Sequence, residues 1–434
     1  MKFSADPSPQ LASIVKRPVD FILEKLTDSA TYRALREALA APVASEEHQT
    51  VSICGVRGSL APFIAAGLFR DFNAPVVIFC NPDEEEVYDN DLPLLLGGHP
   101  FCNTADELSP ALGRLSGSES LVVLAGFDDI GIGVCSTETS REKVFRLATG
   151  DDAGYNALMA FLKSNGFEKR EFVEDEGEYS VRGSIIDVFC YGSREPLRIE
   201  FFGDMVSSLR SFDTDSQLSS ASIDSIDLFG SFTNEEQGTA KQTGILDYLP
   251  ASTIIIIDDA TTLAGEENRL LLEAALPRFR HVLVHRIETH GIDFGAGAQE
   301  KLQGNFRILA NRLEQKTAKG LKTLFACSSR REIEELAEFI AEEKASDRTS
   351  KPPEAFEWIP VTLHTGFEYN DLSVYAESDI FGKFHTRHAH RRRKIRGISL
   401  KELQRLKVGD YVVHEDYGIG IFRSLETIQV GNSE

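Results

Sequence analysis

The residues that could do chemistry in this chain begin with a glycine-rich run, Gly55-Val56-Arg57-Gly58-Ser59-Leu60-Ala61-Pro62, which follows a short apolar segment. A strand turning through glycines into a helix is how a phosphate cradle is built. Glycine lets backbone N–H groups approach an anion, and a helix N-terminus favours negative charge. A working loop of the form G-x-x-x-x-G-K-[ST] also needs its second glycine, a lysine for the β- and γ-phosphates, and a Ser or Thr hydroxyl for magnesium. Here those three positions are Leu60, Ala61 and Pro62. The cation and the metal-bound hydroxyl are gone, and a side chain stands where backbone must approach the ligand. Pro62 also removes an N–H, at a helix start where proline is structurally welcome. The run is expected to keep its fold and to have lost its site, so no catalytic, cofactor-binding or metal-binding residue is expected in this chain. Asp258 and Asp259, after four isoleucines, read either as the acidic end of a nucleotide-site strand or as a buried strand running into a helix cap.

A second group suggests recognition instead of catalysis. In Leu197-Arg198-Ile199-Glu200-Phe201-Phe202 the period of two puts Leu197, Ile199 and Phe201 on one side and Arg198, Glu200 and Phe202 on the other. One set belongs to a core, which leaves an arginine and an aromatic on the outer face, the composition of an interface hot spot. Two simpler readings stay open: Phe202 closes a minor core under the Gly203-Asp204 turn, and Arg198 pairs with Glu200. Arg182, followed by Gly183, either belongs to the same surface or braces a tight backbone feature. Outer-face side chains of this kind are expected to be removable without loss of folding.

Composition narrows the function classes. The six cysteines, Cys54, Cys80, Cys102, Cys135, Cys190 and Cys327, contain no C-x-x-C pair, so neither a zinc knuckle nor a disulfide framework is expected. With 46 basic and 68 acidic residues the formal net charge is −22, a field that repels phosphate backbones, so autonomous tight DNA binding is not expected. No apolar stretch approaches the roughly 20 residues of a membrane helix. The N-terminus lacks the apolar core of a signal sequence. A cytoplasmic, monomeric protein is the expectation.

The elements that must position these residues follow from periodicity. At 434 residues and about 150 residues per domain, roughly three domains are expected. Residues 1–135 alternate helix and strand signals, with a helix at 31–41, strands at 51–55, 74–80 and 120–126, and a helix at 62–70 between the first two strands. Residues 136–222 read as an α+β insertion, opened by a helix with Tyr155, Leu158, Met159 and Leu162 at helical spacing. Strand signals at 252–259 and 281–287 resume the α/β pattern over 223–310. A small α/β unit spans 311–385, with its clearest helix at 331–343. Residues 386–405 form a basic linker whose TRHAHRRRKIRG run is a solvated connector or, alternatively, a nucleic-acid arm. Residues 406–434 have the glycine-broken β alternation of a small barrel, with too few residues to close one.

The segment from Val181 to Gln217, containing RGSIIDVF, the G-S-x-x-P turn, RIEFFGD and SLRSFDTDSQ, resembles the domain that transcription-repair coupling factors share with the excision-repair helicase UvrB. The Gly55 to Pro62 run stands where UvrB-type proteins carry G-V-T-G-S-G-K-T. The LKVGDYVVHEDYGIG segment is similar to the start of the RNA-polymerase-interaction (CarD-like) domain of coupling factors, which UvrB lacks. The chain is thereby identified as resembling the N-terminal part of a coupling factor. The resemblance implies a multidomain α/β fold: a UvrB-like layer domain with a degenerate P-loop (1–135 and 223–310), an inserted UvrA-binding domain (136–222), the small α/β domain, and an incomplete C-terminal barrel. It implies docking of UvrA through Arg182, Arg198 and Phe202, and recruitment of UvrA to RNA polymerase stalled at DNA damage. Polymerase binding through the incomplete barrel is expected to be weak or absent. ATP and magnesium, and contact with DNA, belong in the family to a translocase motor C-terminal to this region. The alternatives are a UvrB-type nucleotide-dependent helicase and a stand-alone RNA-polymerase-binding regulator.

Overall fold

The computed structural model describes residues 17–41, 50–117, 119–152, 154–193, 195–214, 217–233, 243–259, 265–287, 289–345, 356–382, 411–414 and 418–421. They form a mixed α/β structure with several sheets, and no sheet among the described residues closes into a barrel.

Near-continuous apolar runs such as Val76–Cys80 and Ile254–Asp258 are what a parallel sheet covered on both faces requires. They lie at the centre of a seven-stranded sheet in the order Ile292–Asp293, Thr50–Cys54, Arg280–His285, Ile254–Asp258, Val76–Cys80, Val122–Gly126, Phe101–Asn103. All of its pairings are parallel. The alternation of side chains divides it into two cores. Val76, Ile78, Ile254 and Ile256 face one, and Val77, Phe79, Ile255 and Ile257 face the other. The helix after the glycine-rich run is Leu60–Phe72, two residues longer at each end than its periodicity suggested. The helices Pro82–Leu95 and Thr104–Ser116 complete the layer.

A second sheet, ordered Gly297–Ala298, Phe367–Tyr369, Leu372–Ala376, Lys322–Ala326, Glu357–Ile359, presents Leu324, Ala326, Val374 and Ala376 to the first core. The helix Leu60–Phe72 is packed between the two sheets, with Phe63 and Phe367 edge to face at 5.8 Å. The far side of the second sheet carries Phe325 and Tyr375 against Leu309, Leu313, Ile333, Leu336 and Ile340 of the helices Phe306–Ala318 and Arg330–Ala345. The boundary placed at 310 therefore falls inside a helix that packs on the second sheet.

The insertion contains a six-stranded sheet, ordered Ser219–Ser222, Met205–Phe212, Leu197–Phe202, Ile185–Phe189, Glu178–Arg182, Glu168–Lys169. Its pairings are antiparallel except for the last. The helix Tyr155–Ser164 packs Leu158, Phe161 and Leu162 against Ile186, Val188, Leu197, Ile199 and Phe201. Strand Ser225–Phe229 pairs with Val144–Ala148, so the insertion's structure runs past the boundary placed at 222. A strand whose partner lies about eighty residues upstream offers no local signal of where it belongs.

Near the C-terminus, Tyr411–His414 and Gly418–Ile421 form an antiparallel pair. The remainder of the expected barrel and the whole basic linker lie outside the described residues.

Candidate docking site

The insertion's sheet packs one face on the helix Tyr155–Ser164, carries a smaller core on part of the other and leaves the rest of that face open, and the strand Leu197–Phe202 crosses it. Leu197, Ile199 and Phe201 are buried, while Phe202 is 78% exposed. Phe202 pairs with Met205 across the two-residue Gly203-Asp204 turn, where Gly203 takes φ +65°, a conformation that suits glycine. The turn is tied to the insertion's helix, for Asp204 accepts the Tyr155 N–H at 3.2 Å and Phe201 meets the Tyr155 ring edge at 5.4 Å. Phe202 thus sits at a held hairpin tip, and it does not close a minor core. The small core on this side of the sheet consists of Val173, Phe189 and Phe212.

Arg198 pairs with Asp187, not with Glu200. Its Nε donates to Asp187 Oδ1 at 2.7 Å and its Nη2 to Oδ2 at 3.0 Å. Nη1 donates to the Gln217 carbonyl at 3.2 Å, and the guanidinium lies 4.7 Å from the Phe212 ring centroid. The hydrogen bonds that Arg198 donates to Asp187 hold its charge more firmly than usual. Arg182 donates to the same carboxylate at 3.4 Å and stacks on Phe172 at 5.1 Å. Glu200 has its own partner, Arg210, at 2.7 Å. Arg182 and Arg198 are therefore brought together through one buried carboxylate, and Phe202 stands apart from that cluster at the hairpin tip.

The glycine-rich run closes on itself. Leu60 N–H donates to the Arg57 carbonyl at 3.2 Å, and Gly55 and Gly58 have φ of 66° and 52°. A Cβ on Gly58 would strike the Gly366 carbonyl oxygen. Ser59 is buried, and its hydroxyl accepts the Thr365 N–H at 3.1 Å. Asp91 accepts the His364 N–H at 2.8 Å. Leu60, Ala61 and Pro62 are buried in the helix that follows. On the other side, Asp258 is fully buried and is held by Arg286 through two hydrogen bonds and by the Tyr88 hydroxyl at 2.8 Å. Burial alone would lower the Arg286 pKa, but the Asp258 carboxylate prevails and raises it. Neither reading of Asp258 foresaw this pair. The next described helix, Glu266–Ala275, starts at an N-cap of Gly265, and residues 260–264, where the strand's helix cap was expected, lie outside the described residues.

Residues 145–232 match the family described as the UvrB interaction domain, and residues 406–434 match the CarD-like/TRCF RID domain. The transcription-repair-coupling factor of Bacillus subtilis is 21% identical across 87% of this chain and 42% of its own length. That of Myxococcus xanthus is 28% identical across 53% of this chain and 22% of its own length. That of Haemophilus influenzae is 30% identical across 30% of this chain and 11% of its own length. The chain is a relative of the transcription-repair-coupling factors. It spans 42% or less of the length of these three relatives.

Arg182, Arg198 and Phe202 all fall within the segment matching the UvrB interaction domain. Sequence reasoning missed Asp187 and Phe172. The available signal for Asp187 was a carboxylate inside the apolar strand Ile185–Phe189, a position that demands a cation on a neighbouring strand. Phe172 lies outside any strand and is 48% exposed, so periodicity could not select it. Among the described residues no helix is long and apolar enough to cross a membrane.

Proposed function

We propose that this chain is the docking region of a transcription-repair-coupling factor, in which the insertion binds UvrA and so recruits excision repair to RNA polymerase stalled at DNA damage. Polymerase binding through the CarD-like segment is weak or absent in this chain. The ATP-driven motor that removes polymerase belongs to the part of the longer relatives outside the aligned region. This chain itself is a degenerate UvrB-like layer that turns over no nucleotide, works without a cofactor or metal, and acts as a monomer in the cytoplasm. The observation that carries the reading is Phe202, a large aromatic 78% exposed on a tethered hairpin, on the same sheet face as the Arg182 and Arg198 guanidiniums. An exposed aromatic and arginines on one face of a rigid sheet are what interfaces are enriched in. The UvrB-type helicase reading is disfavoured by the self-closed loop and by the Arg286–Asp258 pair. Titration of purified UvrA against the chain, without ATP, DNA or polymerase, tests the proposal. Saturable binding is expected, weakened by about 1–4 kcal/mol in each of Arg182→Ala, Arg198→Ala and Phe202→Ala. Absence of binding by the unaltered chain rejects the docking function.

A further inference from the structure

Asp187 is 2% exposed and stands directly opposite Arg198 in the sheet register. It is shared by two arginines, with three hydrogen bonds of 2.7, 3.0 and 3.4 Å. Each guanidinium is held from another side by an aromatic ring, Phe212 for Arg198 and Phe172 for Arg182. A single carboxylate set between two cations does two things. It lets them approach each other, which their repulsion would oppose, and it fixes the plane of the guanidinium it binds bidentately. The cluster of two guanidiniums against one carboxylate keeps a net charge of +1 within a chain of net −22. Of the two arginines, Arg182 is the more exposed, at 46% against 19% for Arg198.

We propose that Asp187 is the positioning residue of the docking face, presetting Arg182 and Arg198 as one unit for a partner surface that offers a carboxylate beside apolar side chains. This rests on the reading that the face binds UvrA. Preorganisation of this kind raises affinity by removing the cost of ordering long side chains on binding. Asp187 touches no partner, so its effect passes through the arginines.

The test pairs a double-mutant cycle with a measurement that needs no partner. Asp187→Asn is expected to weaken UvrA binding about tenfold, to add nothing to Arg198→Ala, and to combine additively with Phe202→Ala, because only residues that share an interaction are coupled. Arg198→Lys, which keeps the charge near Asp187 but loses the bidentate fork, is expected to weaken binding as Asp187→Asn does and guards against a folding defect in the latter. In the free protein the Arg198 Nε–H is expected to give a slowly exchanging NMR signal that is lost in Asp187→Asn. Unaltered affinity of Asp187→Asn, or a full extra loss when it is added to Arg198→Ala, overturns the proposal. A persistent Nε–H signal in Asp187→Asn overturns it even if UvrA does not bind. Failure of the unaltered chain to bind UvrA, with the signal lost as expected, leaves the positioning role standing and rejects the choice of partner.

Discussion

Removing Arg198 strips the buried Asp187 carboxylate of its two short hydrogen bonds and leaves it Arg182 at 3.4 Å. An uncompensated buried charge is costly, and breaking such a pair typically loses 3–5 kcal/mol when it is fully buried. Arg198 retains 19% exposure, so Arg198→Ala is expected to lower unfolding free energy by about 2–3 kcal/mol, whereas Phe202→Ala changes it by less than about 0.5 kcal/mol. Urea denaturation of the three proteins checks this, and equal stability of all three would be against it. The expectation that these side chains can be removed without harm to folding was tied to their exposure, which Phe202 has at 78% and Arg198 lacks at 19%. The difference shows what is legible at this scale. Exposure of Phe202 follows from a period of two along one strand. The partner of Arg198 does not, since Glu200 lies two residues along the same strand while Asp187 lies directly across from it, and only the pairing register reveals which is nearer.

At the scale of elements, the glycine-rich run Gly55 to Pro62 is part of the seam between the two sheets. Its turn is closed by its own hydrogen bond, the segment 362–366 lies against Gly58 and Ser59, and Arg286 occupies the Asp258 carboxylate. Introducing phosphate-loop residues with Leu60→Gly, Ala61→Lys and Pro62→Thr together is therefore expected to leave ATP binding undetectable by equilibrium dialysis, and magnesium-dependent ATP binding by the triple variant would show that the seam opens. The same seam gives a pH dependence. Burial pushes the Asp91 carboxyl from its ordinary value up to about 7, against the Ser59 and Asn90 hydrogen bonds and the His364 N–H. A raised folded-state pKa stabilises fully below the unfolded value near 4 and loses its contribution as pH rises towards 7. His364 is itself lowered by burial and faces Glu86, and Asp379, raised by burial, shifts in the same sense as Asp91. Between pH 5 and pH 8 the stability difference is expected to move in favour of Asp91→Asn over the unaltered chain by on the order of 2 kcal/mol. A pH-independent difference in denaturation midpoints would contradict it. Five strands of this layer were readable because parallel strands buried on both faces are apolar runs, whereas Phe101–Asn103 and Ile292–Asp293 are too short to carry the pattern. The helices Pro82–Leu95 and Thr104–Ser116 were not, because Pro93 and Pro110 lie inside them and proline ordinarily marks a helix end.

Across the molecule, the distribution of cores decides what unfolds together. One core draws residues from both the seven-stranded sheet and the second sheet, from Ile78 and Ile256 to Leu324 and Val374, so neither layer can open without exposing the apolar face of the other. The insertion has a core of its own, containing Leu158, Ile199 and Leu209, and meets the layer where Phe229 and Val144 lie beside Gly113 and Gly192 lies beside Pro110. Cooperative units follow contiguous buried cores. The two sheets are therefore expected to unfold as one unit and the insertion as another, although the sequence of the second sheet reads as a separate small domain. Leu324 and Leu209 are almost completely buried, at 0% and 1% exposure, and truncation of such a leucine to alanine costs about 2–5 kcal/mol. By native-state hydrogen exchange, Leu324→Ala is expected to accelerate exchange in Ile254–Asp258 and Leu372–Ala376 alike while the strand Leu197–Phe202 keeps its protection. Leu209→Ala is expected to do the reverse. Acceleration confined to the second sheet in Leu324→Ala would mean that the shared core does not couple the layers. Loss of protection everywhere in Leu209→Ala would mean that the insertion is not an independent unit, and a docking face could then not be altered without disturbing the scaffold that presents it.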